Sequence, residues 1–220
     1  MNTGVAIFLI IILLVLLILA LIWAWNTDQE PTELEMKDLD NAAQSISFME
    51  RKWVEYSLLT RLYMIEKITG YPGSSLTSER LKTNQATLGA NMAIFFGKDI
   101  GNQYGELLTK KTNLNGQLFD QMSISKDTAA IRVLLEELNG RIASLISTTS
   151  EGLIPSANIV SLLADFDEII SKEATAIVKK DYTASIKELN NSIEQSGKLS
   201  NYLGGAIWYA LNRGEDTIVQ

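Results

Sequence analysis

Residues Val5 to Trp25 read VAIFLIIILLVLLILALIWAW, 21 consecutive apolar residues, and no charged side chain precedes Asp28. At ~1.5 Å per residue, a helix of this length spans about 30 Å, the thickness of a bilayer's hydrocarbon core. A cleaved signal peptide is the competing reading. Against it stand the lack of a basic residue in Met1–Gly4, a run longer than the usual ~7–15 apolar residues, and Trp23 and Trp25 crowding any cleavage point near Ala24. The run is therefore expected to be a retained single-pass anchor beginning at Val5, with Trp23 and Trp25 in the aromatic belt where the chain leaves the bilayer. It has no polar residue to line a pore and no GxxxG motif, only the faint small-residue pair Ala20 and Ala24. Its orientation is not set, because Met1–Gly4 carries no Lys or Arg and the next basic residue is Lys37.

All 26 acidic and 19 basic side chains follow this run, with a net charge of −7. Asp28, Glu30, Glu33 and Glu35 come first, which argues against docking of this stretch on anionic headgroups. Nucleic acid is disfavoured as a partner: the balance is acidic, and Lys110-Lys111 and Lys179-Lys180 are isolated pairs rather than a basic stripe. The chain contains neither His nor Cys. That removes imidazole general bases, Ser-His-Asp triads, Cys-His pairs, structural zinc, iron–sulfur clusters and disulfides. Carboxylate, Lys, Ser/Thr and Tyr chemistry remains, or none.

The rest of the chain reads as helical. Apolar residues step by three and four along five or six segments, with no strand alternation between hairpin turns and no repeat. A first helix is predicted from about Thr32 to Thr69, with Leu39, Ala42, Ile46, Met49, Trp53, Tyr56, Thr60 and Tyr63 inward and a break allowed around Ser45–Ser47. A second follows an N-cap at Thr77 or Ser78, with Leu81, Gln85, Leu88, Met92 and Phe95 inward, and stops at Gly97. Later stripes are Ile100, Tyr104, Leu107, Lys111, Leu114, Leu118 and Met122, then Ile131, Leu134, Leu135, Leu138, Ile142, Leu145 and Ile146, then Ile159, Leu162, Phe166, Ile169, Glu173 and Ile177. The last helix, from about Asp181, is expected to carry Tyr182, Ile186, Leu189, Ile193 and Leu203 inward, and Gly197 and Gly204-Gly205 are expected to interrupt it. Ile207-Trp208-Tyr209-Ala210-Leu211 is expected to cap the core.

The predicted class is all-α: an N-terminal transmembrane helix followed by an up-and-down antiparallel bundle of five or six helices. The division is an anchor over 1–25, an acidic linker over 26–31, the bundle over 32–212 and a tail over 213–220.

No P-loop, Rossmann fingerprint or EF-hand is present, and the glycines at 97, 101 and 105 lack the preceding strand that a phosphate cradle needs. Asp165, Asp167 and Glu168 flank the inward Phe166 and read as solvated rather than metal-binding. Gln85, Lys111 and Glu173 are more informative, being polar residues on apolar faces. Buried charges need partners, so Lys111 and Glu173 are expected to meet inside the bundle, with Tyr56 and Gln85 beside them. The competing reading is that these side chains snorkel at helix ends.

Trp53-x-x-Tyr56-x-x-x-Thr60-Arg61, Arg80-Leu81-x-x-Asn84-Gln85-x-x-Leu88-Gly89, Phe95-Phe96-Gly97, Gly101-Asn102-Gln103 and Leu107-Leu108-Thr109 resemble the pattern of an uncharacterised, mainly bacterial helical-bundle family. Its motifs are LWxxHVxWTR, RLLxNQxxIG, YYG, GNQ, LLxxHI and a later HLxLTxxE. The resemblance spans most of Arg51 to Leu203 and excludes the anchor. It implies that three family histidines are replaced here by Tyr56, Lys111 and Phe166, while Glu173 matches the later Glu and Arg61, Asn84, Gln85 and Asn102 are kept. In the relatives three inward histidines imply a polar or metal site; here neither Lys111 nor Phe166 ligates a metal at neutral pH.

The expected function is structural. A membrane-anchored acidic bundle would dock to other proteins of a membrane-associated assembly, a virion shell over an internal membrane being one setting that needs such a part. No catalytic, metal or cofactor-binding residue is assigned, and an interior polar network of Tyr56, Arg61, Gln85, Lys111 and Glu173 is expected. The rival is a membrane-bound enzyme or small-ligand binder using Tyr56, Lys111 and Glu173, in which a desolvated Lys becomes nucleophilic.

Overall fold

The computed structural model describes residues 33–212. The Val5–Trp25 run, including Trp23 and Trp25, and the tail over 213–220 lie outside the described residues. Among the described residues no helix is long and apolar enough to cross a membrane. Contacts divide the chain into two compact units, 1–42 and 43–220, and the core of the bundle lies within the second.

The described residues form an all-helical bundle with no strand. The helices are α1 (Glu33–Thr69), α2 (Ser74–Phe96), α3 (Lys98–Ser123), α4 (Ala129–Thr149), α5 (Ser156–Val178) and α6 (Tyr182–Asn212). The turns are short and carry the expected punctuation. Gly70 and Gly73 have positive φ on either side of Tyr71-Pro72, Gly97 alone (φ 85°) separates α2 from α3, and Gly152 (φ 81°) precedes Pro155 at the entry to α5. Short turns make each helix pack on the next in the opposite direction. Gln195 and Tyr202 of α6 accordingly bond to Leu162 and Asn158 of α5, the higher number meeting the lower.

Three expectations about elements need correction. α1 runs unbroken through Ser45–Ser47. α2 begins at Ser74, a turn before the expected cap, because Gly73 at φ 144° already turns the chain and its carbonyl accepts the Leu76 and Thr77 amides. α6 continues through Gly197, Gly204 and Gly205. Gly204 serves packing there: a Cβ in its place would lie 2.8 Å from the Ile46 side chain of α1.

The core is built on α1. Met49, Trp53, Tyr56 and Met64 are wholly enclosed, and Ile46 is half-buried. They meet Leu81, Leu88 and Met92 of α2, Tyr104, Leu108 and Phe119 of α3, Ile142 of α4, Phe166 and Ile170 of α5, and Leu199, Leu203 and Ile207 of α6 in one cluster. Trp53 packs edge-on to Tyr56 at 5.4 Å and to Phe166 at 6.3 Å, and Tyr56 stacks on Phe166 at 5.9 Å. Each such ring pair adds about 0.5–1.5 kcal/mol beyond burial itself.

The glycines at 89, 101 and 105, unsuited to cradle phosphate, let α2 and α3 touch backbone to backbone. A Cβ on Gly89 would sit 2.5 Å from the Gly101 carbonyl oxygen, and one on Gly101 would collide with the Gly89 carbonyl in return.

One residue and one stripe differ from expectation. Leu134 of α4 is exposed, while Ile131, Leu135, Leu138, Ile142 and Ile146 of the same expected stripe are buried. On the first half of α6, Tyr182 and Ile186 are exposed, and Ser185, Ser192 and Ser196 face inward. The reason is the polar character of the opposing surface. Ser57 of α1 bonds Ser196 Oγ at 2.7 Å and donates to the Ser192 carbonyl at 3.2 Å, a seam that admits only small side chains. At the other end of α6, Ile207 is in the core and Trp208 is exposed.

Candidate functional site

Polar side chains from all six described helices converge inside the bundle at three nodes. The first joins α3, α4 and α5. Lys111, on the apolar face of α3 and wholly buried, places its ammonium 2.6 Å from Asp167 Oδ2 and donates to Asn139 Oδ1 at 2.7 Å. Asn139 Nδ2 in turn donates to the same Asp167 oxygen at 2.7 Å, closing a three-membered ring of bonds.

The second node joins α1, α5 and α6. The Arg61 guanidinium pairs with Glu173 Oε1 and donates to Ser185 Oγ at 2.9 Å and to its carbonyl at 3.2 Å. Glu173 is wholly buried, and its second oxygen has no hydrogen-bond partner. Burial pushes its carboxyl above the usual 4.5, Arg61 works against this, and Glu188 adds to it.

The third node joins α1, α2 and α3. Gln85 Nε2 donates to Thr112 Oγ1, and the Thr109 hydroxyl donates to Gln85 Oε1 at 2.9 Å. The Tyr56 hydroxyl lies 3.4 Å from Thr112 Oγ1. Burial is the main cause that pushes the Tyr56 phenol up to about 12, helped by the Asp167 charge. Burial likewise raises the Tyr104 phenol beside Trp53.

The five residues singled out from the sequence are all on these nodes, in a different arrangement from that expected. Lys111 and Glu173 do not form a pair: Lys111 takes Asp167, and Glu173 takes Arg61. The reason lies in α5, where Asp167 and Glu173 project in different directions and each acid meets the cation on the helix it faces. Asp167 is not a solvated acid like its exposed neighbours Asp165 and Glu168; its side chain keeps 14% exposure. Asn139 and Thr112 are not among the residues that spacing selects. Asn139 interrupts the apolar stripe of α4 one position after Leu138, and such an interruption opposite an inward Lys is the signal that could have found it.

The three positions that the family resemblance assigns to replaced histidines are neighbours. The Tyr56 and Phe166 rings stack, and Lys111 holds the carboxylate next in sequence to Phe166. Phe166 fills its position with hydrocarbon. Among the described residues no group of three or more acidic side chains gathers as a metal site would need.

The external grooves have a different lining. One of about 470 Å³ between α3 and α4 is flanked by Glu106, Lys110 and Arg141, and one of about 560 Å³ over the α2–α3 crossing by Asn102, Glu106 and Lys110. Lys110, not Lys111, reaches them. On the α1–α2 surface Glu55 collects Lys52 at 2.6 Å, Arg80 at 3.0 Å and Asn84 at 3.3 Å, with Lys52 the largest influence holding its carboxyl below the ordinary value. No family model, curated protein or solved structure matches this chain.

Proposed function

We propose that the chain is a single-pass membrane protein whose acidic bundle is a structural part, docking to other proteins of a membrane-associated assembly. The observation that carries this reading is the run Val5–Trp25, long enough to span the hydrocarbon core, followed by a remainder, 26–220, that bears the entire net charge of −7. The interior adds support. Lys111, the one nucleophile of the rival enzyme reading placed at the centre, is spent on Asp167 and Asn139, and Arg61 and Glu173 are spent on each other. Ion pairs of this kind hold helices in one arrangement, which suits a rigid docking block. A shell closed over an internal membrane, as in a virion, is a setting that uses such a block.

Membrane partition tests the reading. The full chain is expected to stay in the membrane pellet through alkaline carbonate washing and to leave it only with detergent. The chain lacking residues 5–25 is expected in the supernatant. Release of the full chain by carbonate would contradict the anchor.

A further inference from the structure

Residue pairs along α1 and α3 rise together. Tyr56 lies against Thr112, Tyr63 against Gly116 and Phe119, and Lys67 reaches Asp120 at 2.6 Å. The two helices therefore run parallel, and one rung remains between the first pair and the second. Thr60, one turn beyond Tyr56, and Asn115, one turn beyond Thr112, face each other on it. Each is only 2% exposed. Thr60 Oγ1 and Asn115 Nδ2 have no hydrogen-bond partner, although both side chains flank the Tyr56 hydroxyl. On the next rung Gly116 has no side chain, and the Tyr63 hydroxyl end fills the space that its Cβ would take.

Buried amides and hydroxyls without partners are costly, and proteins satisfy such groups with internal water making about three hydrogen bonds. The rung supplies three: an N–H donor on Asn115, a hydroxyl on Thr60 and a phenol on Tyr56. We propose that this rung is a binding site for one internal water molecule, bonded to Thr60 Oγ1, Asn115 Nδ2 and the Tyr56 hydroxyl, and that this water completes the α1–α3 seam. A neutral ligand of this size is favoured over a cation because Asn115 presents N–H to the site.

The test uses the full chain in mild non-ionic detergent, with urea unfolding followed by tryptophan fluorescence. Thr60→Val keeps the shape and removes the hydroxyl. With the water in place it is expected to lower the unfolding midpoint, and Thr60→Val with Asn115→Ala is expected to lower it by less than the sum of the two single variants. If the two groups are simply unpaired, Thr60→Val leaves the midpoint unchanged or raises it, and this result, or additive losses, would overturn the proposal. A second readout needs no variant. Magnetisation transfer from long-lived bound water to the Asn115 side-chain amide is expected in the wild-type chain, and its absence would count equally against the site.

Discussion

Glu173 shows most clearly what burial does to a single residue here. Its carboxylate is enclosed, one oxygen is held by Arg61, the other is unpartnered, and its folded pKa is raised above 4.5. A carboxyl with a raised folded pKa binds its proton more tightly in the native than in the unfolded state. Its contribution is therefore most favourable below 4.5 and is lost as pH rises through the folded value. Glu55 behaves oppositely, because Lys52 and Arg80 hold its pKa down and its contribution is lost as pH falls through that lowered value. Glu173→Gln isolates the first effect. From urea midpoints across pH 4 to 8, wild type is expected to lose stability relative to this variant as pH rises from about 4.5 into the raised range. A constant difference would show that Glu173 titrates like an exposed carboxylate.

Among the elements, α2 and α3 show what small residues do. Their crossing at Gly89, Gly101 and Gly105 brings backbone against backbone, and no side chain fits between. Gly101→Ala would gain about 0.5–1 kcal/mol of helix propensity in isolation. Here its methyl meets the Gly89 carbonyl and Ala93, and overpacking costs typically about 1–3 kcal/mol. The expected result is a net loss in unfolding free energy, whereas Gly140→Ala, with open space around it, is expected to be neutral or stabilising. The existence of each helix is legible in the sequence because leucines and aromatics at three- and four-residue steps mark a buried face whatever its partner. The phase of the first half of α6 is not. Its buried residues there are mainly serines, and spacing rules that follow apolar side chains select the exposed Tyr182 and Ile186 instead. Asp167 escapes the same rules for a related reason: it lies beside an inward Phe, and only the Lys on another helix decides that it turns inward.

For the whole molecule, three polar nodes tie all the described helices together. Tyr56, Lys111 and Phe166, the positions that the family resemblance singles out, are neighbours across three helices, though pairing between helices is not readable from spacing. A bundle braced in this way is proposed to be a block for holding protein partners at a membrane. Cross-linking mass spectrometry on native membranes is the decisive experiment. Lys82, Lys172 and Lys198 have exposed side chains that an amine-reactive linker can reach, while the buried Lys111 serves as an internal control. Recurrent links from the exposed lysines to the same partner proteins, and none from Lys111, are expected of a docking block. Links confined to this chain alone, with Lys111 among the reactive amines, would contradict it.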